Sequence, residues 1–280
     1  MRERRTPPSD STSDNAQELL VSLGRLVDHA LDRIKYQRAQ VELAVALQRH
    51  MLPPALPRLP GLQIAARYTP SQDGLDVGGD WYDAFQMADG SVGIAIGDVE
   101  GHDVEAIAFM GQVRTSMRAL AGPTTDPGEV LSHANDLLLS MGCDRFATCS
   151  FLRFDPLSGH LAFSRAGHVP MVWASADGRS GIALDHGGPP LGVMSGEHYP
   201  VTRLRLLAAG SLVLLTDGVV EGPSYRIEEG LAEVARLVRA GFGDDPDDLA
   251  AAVVKVADLT GHSDDAAVLV ARYDGIPAAV

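Results

Sequence analysis

The sequence predicts an α+β sandwich of antiparallel strands with helices packed outside it, preceded by one long helix. Turn residues at Ala88-Asp89-Gly90, and again at 155–159, join pairs of apolar runs, which is typical of β-hairpins. Helical patterns come in blocks, near 104–140 and 228–259, instead of following each strand. A doubly wound parallel sheet, in which strands and helices alternate regularly, is therefore disfavoured.

The composition is that of a globular protein and excludes several classes of function. The chain has 280 residues, of which 45% are hydrophobic, and a formal net charge of −14. That charge argues against nucleic acid as a partner, because phosphate backbones attract basic surfaces. No apolar run approaches the roughly 18 residues of a membrane span, and the polar N-terminus is not a secretory signal. Cys143 and Cys149 are too few for a disulfide framework, so we expect buried, reduced thiols and a cytoplasmic protein.

The first 52 residues divide into a tail and a helix. Residues 1–15 are polar and contain prolines, and we expect them to be disordered. Residues 16–52 carry a heptad pattern with these a and d positions: Leu20, Leu23, Val27, Ala30, Ile34, Gln37, Val41, Ala44, Gln48 and Met51. The pattern fits a coiled coil that joins two copies of the chain, or one amphipathic helix that lies on its own domain. Four prolines between Pro53 and Pro60 end the helix, and the expected globular domain is 53–275.

The remaining elements follow in order along the chain. The expected strands are 62–68, 81–87, 91–99, 146–154, 160–165, 171–174, 182–184, 211–216 and 266–273. The expected helices are 104–120, 127–140, 228–240 and 246–259. Asp126 precedes Pro127 as an N-cap, and 211–216 is a continuous apolar run of the kind that is buried on both faces.

Two aspartates bracket the first hairpin. Asp80 and Asp98 lie symmetrically about the turn residue Asp89, so simple pairing brings both to the open end of the hairpin, with Cβ atoms about 5 Å apart. Two carboxylates at that distance repel each other unless a proton or a cation lies between them. Gly79 and Gly97 stand beside them and leave room for a ligand.

Three more aspartates occupy strand ends. Asp217 follows the apolar run 211–216, and Asp264 and Asp265 precede the last strand. A carboxylate at the mouth of a core strand is costly to desolvate and normally has a partner. The only lysines, Lys35 and Lys255, lie outside these segments. Each aspartate alone is explained by a turn or a cap, but the set indicates hard divalent cations such as magnesium or manganese.

Six segments stand in a recognisable order along the chain: VGGDWYDAF, IGDVEGHDVEA, FATCSFLRFDPLSGHLAFSRAGHVP, PPLGV, LLTDGVVE and SDDAAVLV. As a set they resemble the PPM metal-dependent phosphatases, in particular the bacterial SpoIIE/RsbU branch, over about residues 45–275. The resemblance implies two packed antiparallel β-sheets flanked by helices, an αββα sandwich. It also implies a centre of two manganese or magnesium ions in a cleft at one end of the sandwich.

The resemblance also implies which residues hold the cations. Asp98 is expected to bridge them, and the backbone carbonyl of Val99 is expected to contact the second cation. The other implied ligands are Asp80, Asp217 and Asp264, with Asp264 preferred over Asp265. Two cations in such a centre activate water for in-line attack on phosphorus, so no protein nucleophile is needed.

The histidines and Asp103 allow more than one interpretation. His102 is the candidate catalytic acid, because imidazole titrates near neutrality and could protonate the departing oxygen; alternatively it braces the metal loop. His168 is expected to fix a loop. Asp103 stands where the family commonly has glycine. If that position required a positive φ, aspartate would cost about 1 kcal/mol; it could equally cap the following helix.

The function implied by the resemblance is hydrolysis of phosphoserine or phosphothreonine on a protein. The implied substrate is a phosphorylated STAS-domain anti-sigma-factor antagonist, whose dephosphorylation frees a sigma factor by partner switching in bacteria. Two other functions stay open: a catalytically weak regulatory scaffold, and a phosphatase of small phosphate esters.

Overall fold

The computed structural model describes residues 11–70, 78–101, 103–142, 144–223, 225–261 and 264–276. The chain divides into two compact units, Met1–Leu43 and Ala44–Val280. The second unit begins nine residues before Pro53, where the proline cluster predicts the domain boundary. The reason is that the last two turns of the long helix pack on the domain: Ala44 and Gln48 are buried there, and Met51 lies against Gly111.

One long helix, α1 (Ser11–Met51), precedes the strands. It begins five residues earlier than predicted, so the expected disorder of residues 11–15 is wrong; after Pro8 the sequence has no residue that prevents a helix. The rest of the expected tail, 1–10, lies outside the described residues. Many large apolar side chains of α1 are exposed, among them Leu20, Leu23 and Ile34. In the ranges that the structure describes, no helix is both long and apolar enough to span a bilayer.

The strands form two antiparallel sheets, as the hairpin pattern predicts. The first sheet has the order β1-β10-β9-β6-β7, with β1 Leu62–Thr69, β10 Ala266–Tyr273, β9 Gly210–Leu215, β6 Val172–Ser175 and β7 Ser180–Ile182. The second has the order β2-β3-β4-β5-β8, with β2 Trp81–Gln86, β3 Val92–Val99, β4 Ala147–Phe154, β5 His160–Ala166 and β8 Thr202–Arg205. The short β8 was not predicted, because its four residues contain a single apolar side chain, Leu204, and show no strand pattern. The strand expected at 182–184 lies two residues earlier, as β7.

Helices cover the outer face of each sheet and complete the predicted αββα sandwich. Helices α2 (Val104–Leu120) and α3 (Pro127–Ser140) contact the second sheet. Helices α4 (Ile227–Gly241) and α5 (Pro246–Val254) contact the first sheet, and the short α6 (Ala257–Thr260) follows them.

The central strands β9 and β10 are buried on both faces, which explains their continuous apolar sequences. One set of side chains packs with α4 and α5: Val213, Leu215, Val268 and Val270. The alternate set packs against the second sheet: Leu212, Leu214, Leu269 and Ala271. Because successive side chains of a strand point to opposite faces, both layers of the core depend on these two strands.

The second sheet and its helices are joined by polar contacts as well. Asp83 of β2 is buried and accepts hydrogen bonds from Arg114 (3.0 Å) and Arg118 (2.9 Å) of α2. Asp126 caps α3, as predicted, by accepting from the backbone N–H groups of Gly128 and Glu129. These contacts fix the two helices that flank the second sheet.

Gly230 and Gly24 are both helical glycines, but their surroundings predict opposite responses to alanine. A Cβ at Gly230 in α4 would lie 2.2 Å from the Val220 carbonyl oxygen, whereas Gly24 in α1 has nothing within 4 Å. Gly230→Ala should therefore lower the free energy of unfolding by about 1–3 kcal/mol, the usual cost of overpacking, despite alanine's helix propensity. Gly24→Ala should increase helicity or leave it unchanged. Urea unfolding and circular dichroism measure both; a Gly230→Ala protein as stable as the unchanged chain would contradict the close packing.

Candidate metal centre

The β2–β3 hairpin has the predicted register. Trp81 pairs with Gly97 and Gln86 with Val92, and this pairing places Asp80 opposite Asp98 one residue beyond the ladder. Asp80 is 2% exposed, and Asp98 is half-buried. The hairpin therefore delivers two carboxylates to one end of the second sheet.

The first sheet delivers its aspartates to the same end. Leu215 pairs with Val268 in the antiparallel ladder of β9 and β10. Asp217 after β9 and the Asp264-Asp265 pair before β10 therefore lie at the same end of these two strands. Two hydrogen bonds then cross between the sheets. Thr216 Oγ1 donates to Asp80 Oδ2 (2.7 Å), and the backbone N–H of Gly78 donates to Asp265 Oδ2 (2.6 Å).

Glycine is required where the backbones of neighbouring strands of the same sheet approach each other at this end of the sandwich. A Cβ at Gly79 would lie 2.2 Å from the carbonyl oxygen of Val99, and a Cβ at Gly218 would lie 2.0 Å from the carbonyl oxygen of Asp265. Backbone cannot yield at such distances as a flexible side chain can. The glycines of the GGD and TDG segments therefore set the spacing of the carboxylates.

The carboxylates raise one another's pKa values. Burial, and then the charges of Asp98 and Asp217, raise the pKa of Asp80 well above its usual range, and the Thr216 hydrogen bond offsets this only in part. Burial, followed by the charges of Asp217, Asp264 and Asp265, raises the pKa of Asp98 to about 8. The pKa of Asp217 is also raised, mainly by burial. Carboxylates that are held this close favour a bound proton or a bound cation.

The donor set fits hard divalent cations. All the donors are oxygens, four carboxylates and one backbone carbonyl, which is the chemistry that magnesium and manganese prefer. Among the described residues, no three acidic, histidine or cysteine side chains already converge into a closed ligand cage. The four carboxylates interact through their charges but are too far apart to share one cation. Binding of a cation therefore requires the side chains to move, while the backbone positions are already fixed.

Asp264 and Asp265 differ in their surroundings. Asp265 is 3% exposed and accepts hydrogen bonds from Tyr68 Oη and from the Gly78 N–H. Asp264 is exposed, and its Oδ1 accepts from the Asp265 N–H (2.8 Å). The buried carboxylate of Asp265 is thus directed towards β1 and the Gly78 loop, which favours Asp264 as the ligand.

Gln48 was missed as a residue of this region. At the end of α1, its Nε2 donates to the Gly78 carbonyl (2.9 Å) and to Tyr68 Oη, and lies 3.4 Å from Asp265 Oδ2. The heptad pattern presents Gln48 as a polar interruption of an apolar row. That interruption was the available signal, because a buried glutamine must find polar partners.

The segment after Asp98 shows how aspartate is accommodated at 103. Asp103 has an extended backbone (φ −116°) and caps α2, accepting a hydrogen bond from the Ala106 N–H (2.8 Å). No positive φ is required, so the expected strain is absent and the capping alternative is confirmed. His102, the candidate catalytic acid, lies outside the described residues.

His168 has a structural environment. Its ring is 3% exposed, and Nδ1 lies 2.8 Å from Thr148 Oγ1, on the residue that pairs with Asp98. Burial, helped by the charge of Arg165, lowers the pKa of His168 to about 3. A neutral, buried imidazole fits the expected loop-fixing role.

The family comparison agrees with this geometry. Residues 88–274 match the family model described as Stage II sporulation protein E (SpoIIE). The chain belongs to the SpoIIE family. Among curated relatives of this SpoIIE-family chain, protein IcfG of Synechocystis sp. is 29% identical over 216 residues, which are 67% of this chain and 33% of that protein. Phosphoserine phosphatase RsbU of Bacillus subtilis is 26% identical over 197 residues, 70% of this chain and 57% of RsbU.

The chain therefore spans from one third to somewhat over half of the length of these two relatives. Among solved structures, the RsbU and RsbW domains of a Mycobacterium tuberculosis protein match with a TM-score of 0.71 and 29% identity. That match covers 81% of this chain and 64% of the other. The sandwich described above is thus the fold of this SpoIIE-family domain.

The raised pKa of Asp98 predicts how the metal-free SpoIIE-family chain responds to pH. The folded chain holds this proton up to about pH 8, whereas the unfolded chain loses it near pH 4. Stability should therefore fall as the pH rises from about 4 to about 8. In EDTA, Asp98→Asn should raise Tm by at least about 2 °C at pH 8, because one pKa unit corresponds to about 1.4 kcal/mol. The difference should shrink towards pH 4.

The control is Asp177→Asn, at an exposed aspartate whose pKa is lowered by Arg179. It should not raise Tm at any pH between 4 and 8. A Tm of Asp98→Asn that is equal to or below that of the unchanged chain at pH 8 would contradict repulsion within the carboxylate cluster.

Proposed function

We propose that this chain is a metal-dependent protein phosphatase that hydrolyses phosphoserine or phosphothreonine. The observation that carries the proposal is the convergence of carboxylates from both sheets at one end of the sandwich, where they raise one another's pKa values. Membership of the SpoIIE family, and the phosphoserine phosphatase RsbU among its relatives, support the same reaction.

Two divalent cations, manganese or magnesium, would be held by the following groups: Asp80, Asp98, Asp217, Asp264 and the carbonyl of Val99. When bound, such a pair supplies an activated water and neutralises the charge of the phosphoryl oxygens. The chain's own contribution is to fix these oxygens. Thr216 orients Asp80, and the close approach at Gly79 fixes the Val99 carbonyl, on the residue that follows Asp98. His102 remains the proposed acid for the departing oxygen.

A cysteine nucleophile is disfavoured within the described part of the chain. Cys149 is fully buried on β4, beside Met117, and burial raises the pKa of its thiol. A thiol in such a setting is a poor nucleophile, because the thiolate is the reactive form. Hydrolysis by activated water needs no such group, which favours the metal-dependent mechanism.

The proposed substrate is a phosphorylated STAS-domain anti-sigma-factor antagonist in the cytoplasm, and the proposed process is sigma-factor regulation by partner switching. The family resemblance carries this step, and the RsbU and RsbW domains of the solved structure fit it. Residues 1–50 carry 8 Lys and Arg against 7 Asp and Glu, so the remaining residues, with 15 Lys and Arg against 30 Asp and Glu, carry a net charge of −15. An acidic surface repels a free phosphate ester, so recognition should depend on the folded partner. A small-ester phosphatase and a weak regulatory scaffold are the alternative outcomes.

We further propose a homodimer through α1. Its heptad row is exposed at Leu20, Leu23, Val27 and Ile34 in the described structure. An exposed row of this length on one helix is the pattern by which coiled coils associate. Residues 16–52 would then be the dimerisation helix and 53–275 the phosphatase domain, on which the last two turns of the helix pack.

Manganese-dependent release of phosphate from a phosphorylated STAS protein tests the function. The unchanged chain should be active with manganese and inactive in EDTA. Asp98→Asn should reduce the rate by at least about 10²-fold, because it removes the bridging carboxylate while the fold persists by circular dichroism. Asp264→Asn should impair activity more than Asp265→Asn; the reverse order would move the ligand assignment by one residue.

Two further arms separate the alternatives in the same assay. A short phosphopeptide of the same sequence, at equal concentration, should react much more slowly than the folded STAS protein. Equal rates would indicate a general phosphatase that does not recognise the folded partner. Hydrolysis of small esters alone would indicate a metabolic enzyme. If Asp98→Asn retained near-normal activity, the two-metal mechanism would be rejected.

Removal of α1 tests the dimer. A chain that starts at Ala44 retains the whole second unit and should be monomeric in sedimentation, whereas the full chain should be dimeric. Leu23→Glu together with Ile34→Glu is the matched change within the full chain, because both side chains are exposed on the heptad row. A full-length chain that is monomeric at high micromolar concentration would contradict the coiled-coil proposal.

A further inference from the structure

Arg145 encloses the turn that follows Asp98 and Val99. Its Nη1 donates to the Glu100 carbonyl (2.8 Å), and its Nη2 donates to Asp103 Oδ2 (2.8 Å). The guanidinium covers Gly101, where a Cβ would lie 2.4 Å from Nη1. Arg145 therefore binds residues on both sides of Gly101, namely Glu100 and Asp103.

The backbone beside Arg145 holds the same turn. The N–H of Glu100 donates to the carbonyl of Phe146 (3.1 Å), and Ala147 pairs with Val99 at the end of the β3–β4 ladder. Ala147 also exchanges two backbone hydrogen bonds with Leu191. The segment 145–147 is thus anchored in the sheet and can act as a fixed support for the turn.

Asp103 serves two structures at once. One carboxylate oxygen caps α2 through the Ala106 N–H, and the other accepts from Arg145. Glycine, the residue that resemblance leads one to expect at this position, could make neither contact. The aspartate and Arg145 therefore form one unit, in which the start of α2 and the end of β3 are held by the same guanidinium.

This ion pair restricts the conformation of the turn more than it stabilises the whole fold. The Asp103 side chain is 56% exposed, and pairs of that kind add little to the free energy of unfolding. The Glu100 carbonyl, however, lies only two residues after Asp98. A planar guanidinium that donates to two acceptors in fixed directions restricts the turn in a way that a lysine cannot.

We propose that Arg145, together with Asp103, is a positioning residue that holds the turn after β3 so that the Asp98 carboxylate and the Val99 carbonyl face the cations. The inference rests on the proposed metal-dependent function and deepens it. Arg145 acts through the ligands that it positions and contacts no substrate in this role.

The experiment measures manganese binding directly, by titration calorimetry or by the electron paramagnetic resonance signal of free manganese. Arg145→Ala should weaken manganese affinity by about tenfold, the effect typical of residues that orient metal ligands. At saturating manganese its kcat should return to within about threefold of the unchanged chain. Arg145→Lys should fall between the two, because one ammonium cannot reproduce both directed hydrogen bonds.

The matched control is Arg203→Ala. Arg203 pairs with Asp126, the N-cap of α3, and so repeats the arginine-to-cap arrangement on β8, three strands away from β3. Its manganese affinity should equal that of the unchanged chain. Asp103→Asn preserves a capping side chain and removes the ion pair. As a single substitution it should weaken manganese binding, whereas combined with Arg145→Ala it should cause little further loss of affinity.

Each outcome decides something different. Arg145→Ala with the affinity of the unchanged chain would overturn the inference and leave the proposed function standing. A loss that Arg203→Ala shares would also overturn it, since it would reflect helix capping in general. An unchanged chain that binds no manganese would overturn the proposed function and this inference together. If Arg145→Ala does not fold, the Arg145→Lys and Asp103→Asn variants decide the test.

Discussion

The structure depends on one electrostatic constraint: aspartates from two different sheets are held at the same end of the sandwich. Within each sheet the spacing is imposed by backbone, because Gly79 lies against the Val99 carbonyl and Gly218 against the Asp265 carbonyl. Between the sheets, the hydrogen bonds from Thr216 to Asp80 and from Gly78 to Asp265 hold the two groups of aspartates together. The burial of apolar side chains on both faces of β9 and β10 supplies free energy that offsets the repulsion between the carboxylates.

Polar contacts around the cluster distribute the same constraint to the rest of the domain. Thr216 connects Asp80 to the β9–β10 ladder, because its Oγ1 also accepts from the Ala267 N–H (2.9 Å). Gln48 and Tyr68 connect Asp265 to the end of α1 and to β1. A shift of the last turns of α1 would therefore move Asp265 through hydrogen bonds and not only through packing.

Sequence reasoning reached the hairpin register and the placement of the aspartates at strand ends because both depend on local signals. A turn at Asp89 fixes which residues oppose each other, and apolar runs show where strands end. Gln48 could not be found in this way, since its partners lie 20, 30 and 217 residues away. The four-residue β8 failed for a related reason: its pairing with β5, and not its own pattern, makes it a strand. Arg145 gave no signal at all, because its hydrogen-bond partners lie in a turn that begins 45 residues earlier.

The scarcity of lysine has a consequence for alkaline conditions and for chemical modification. In the described part of the second unit, every ion pair uses arginine, which stays protonated far above neutrality. Those contacts will persist at a pH where lysine ammonium groups begin to discharge. Lys35 on α1 and Lys255 at the end of α5 are both exposed and lie outside the carboxylate cluster. Acylation of lysine amines, whether by an enzyme or by a surface-coupling reagent, will therefore modify α1 and the end of α5 and leave the aspartates unchanged.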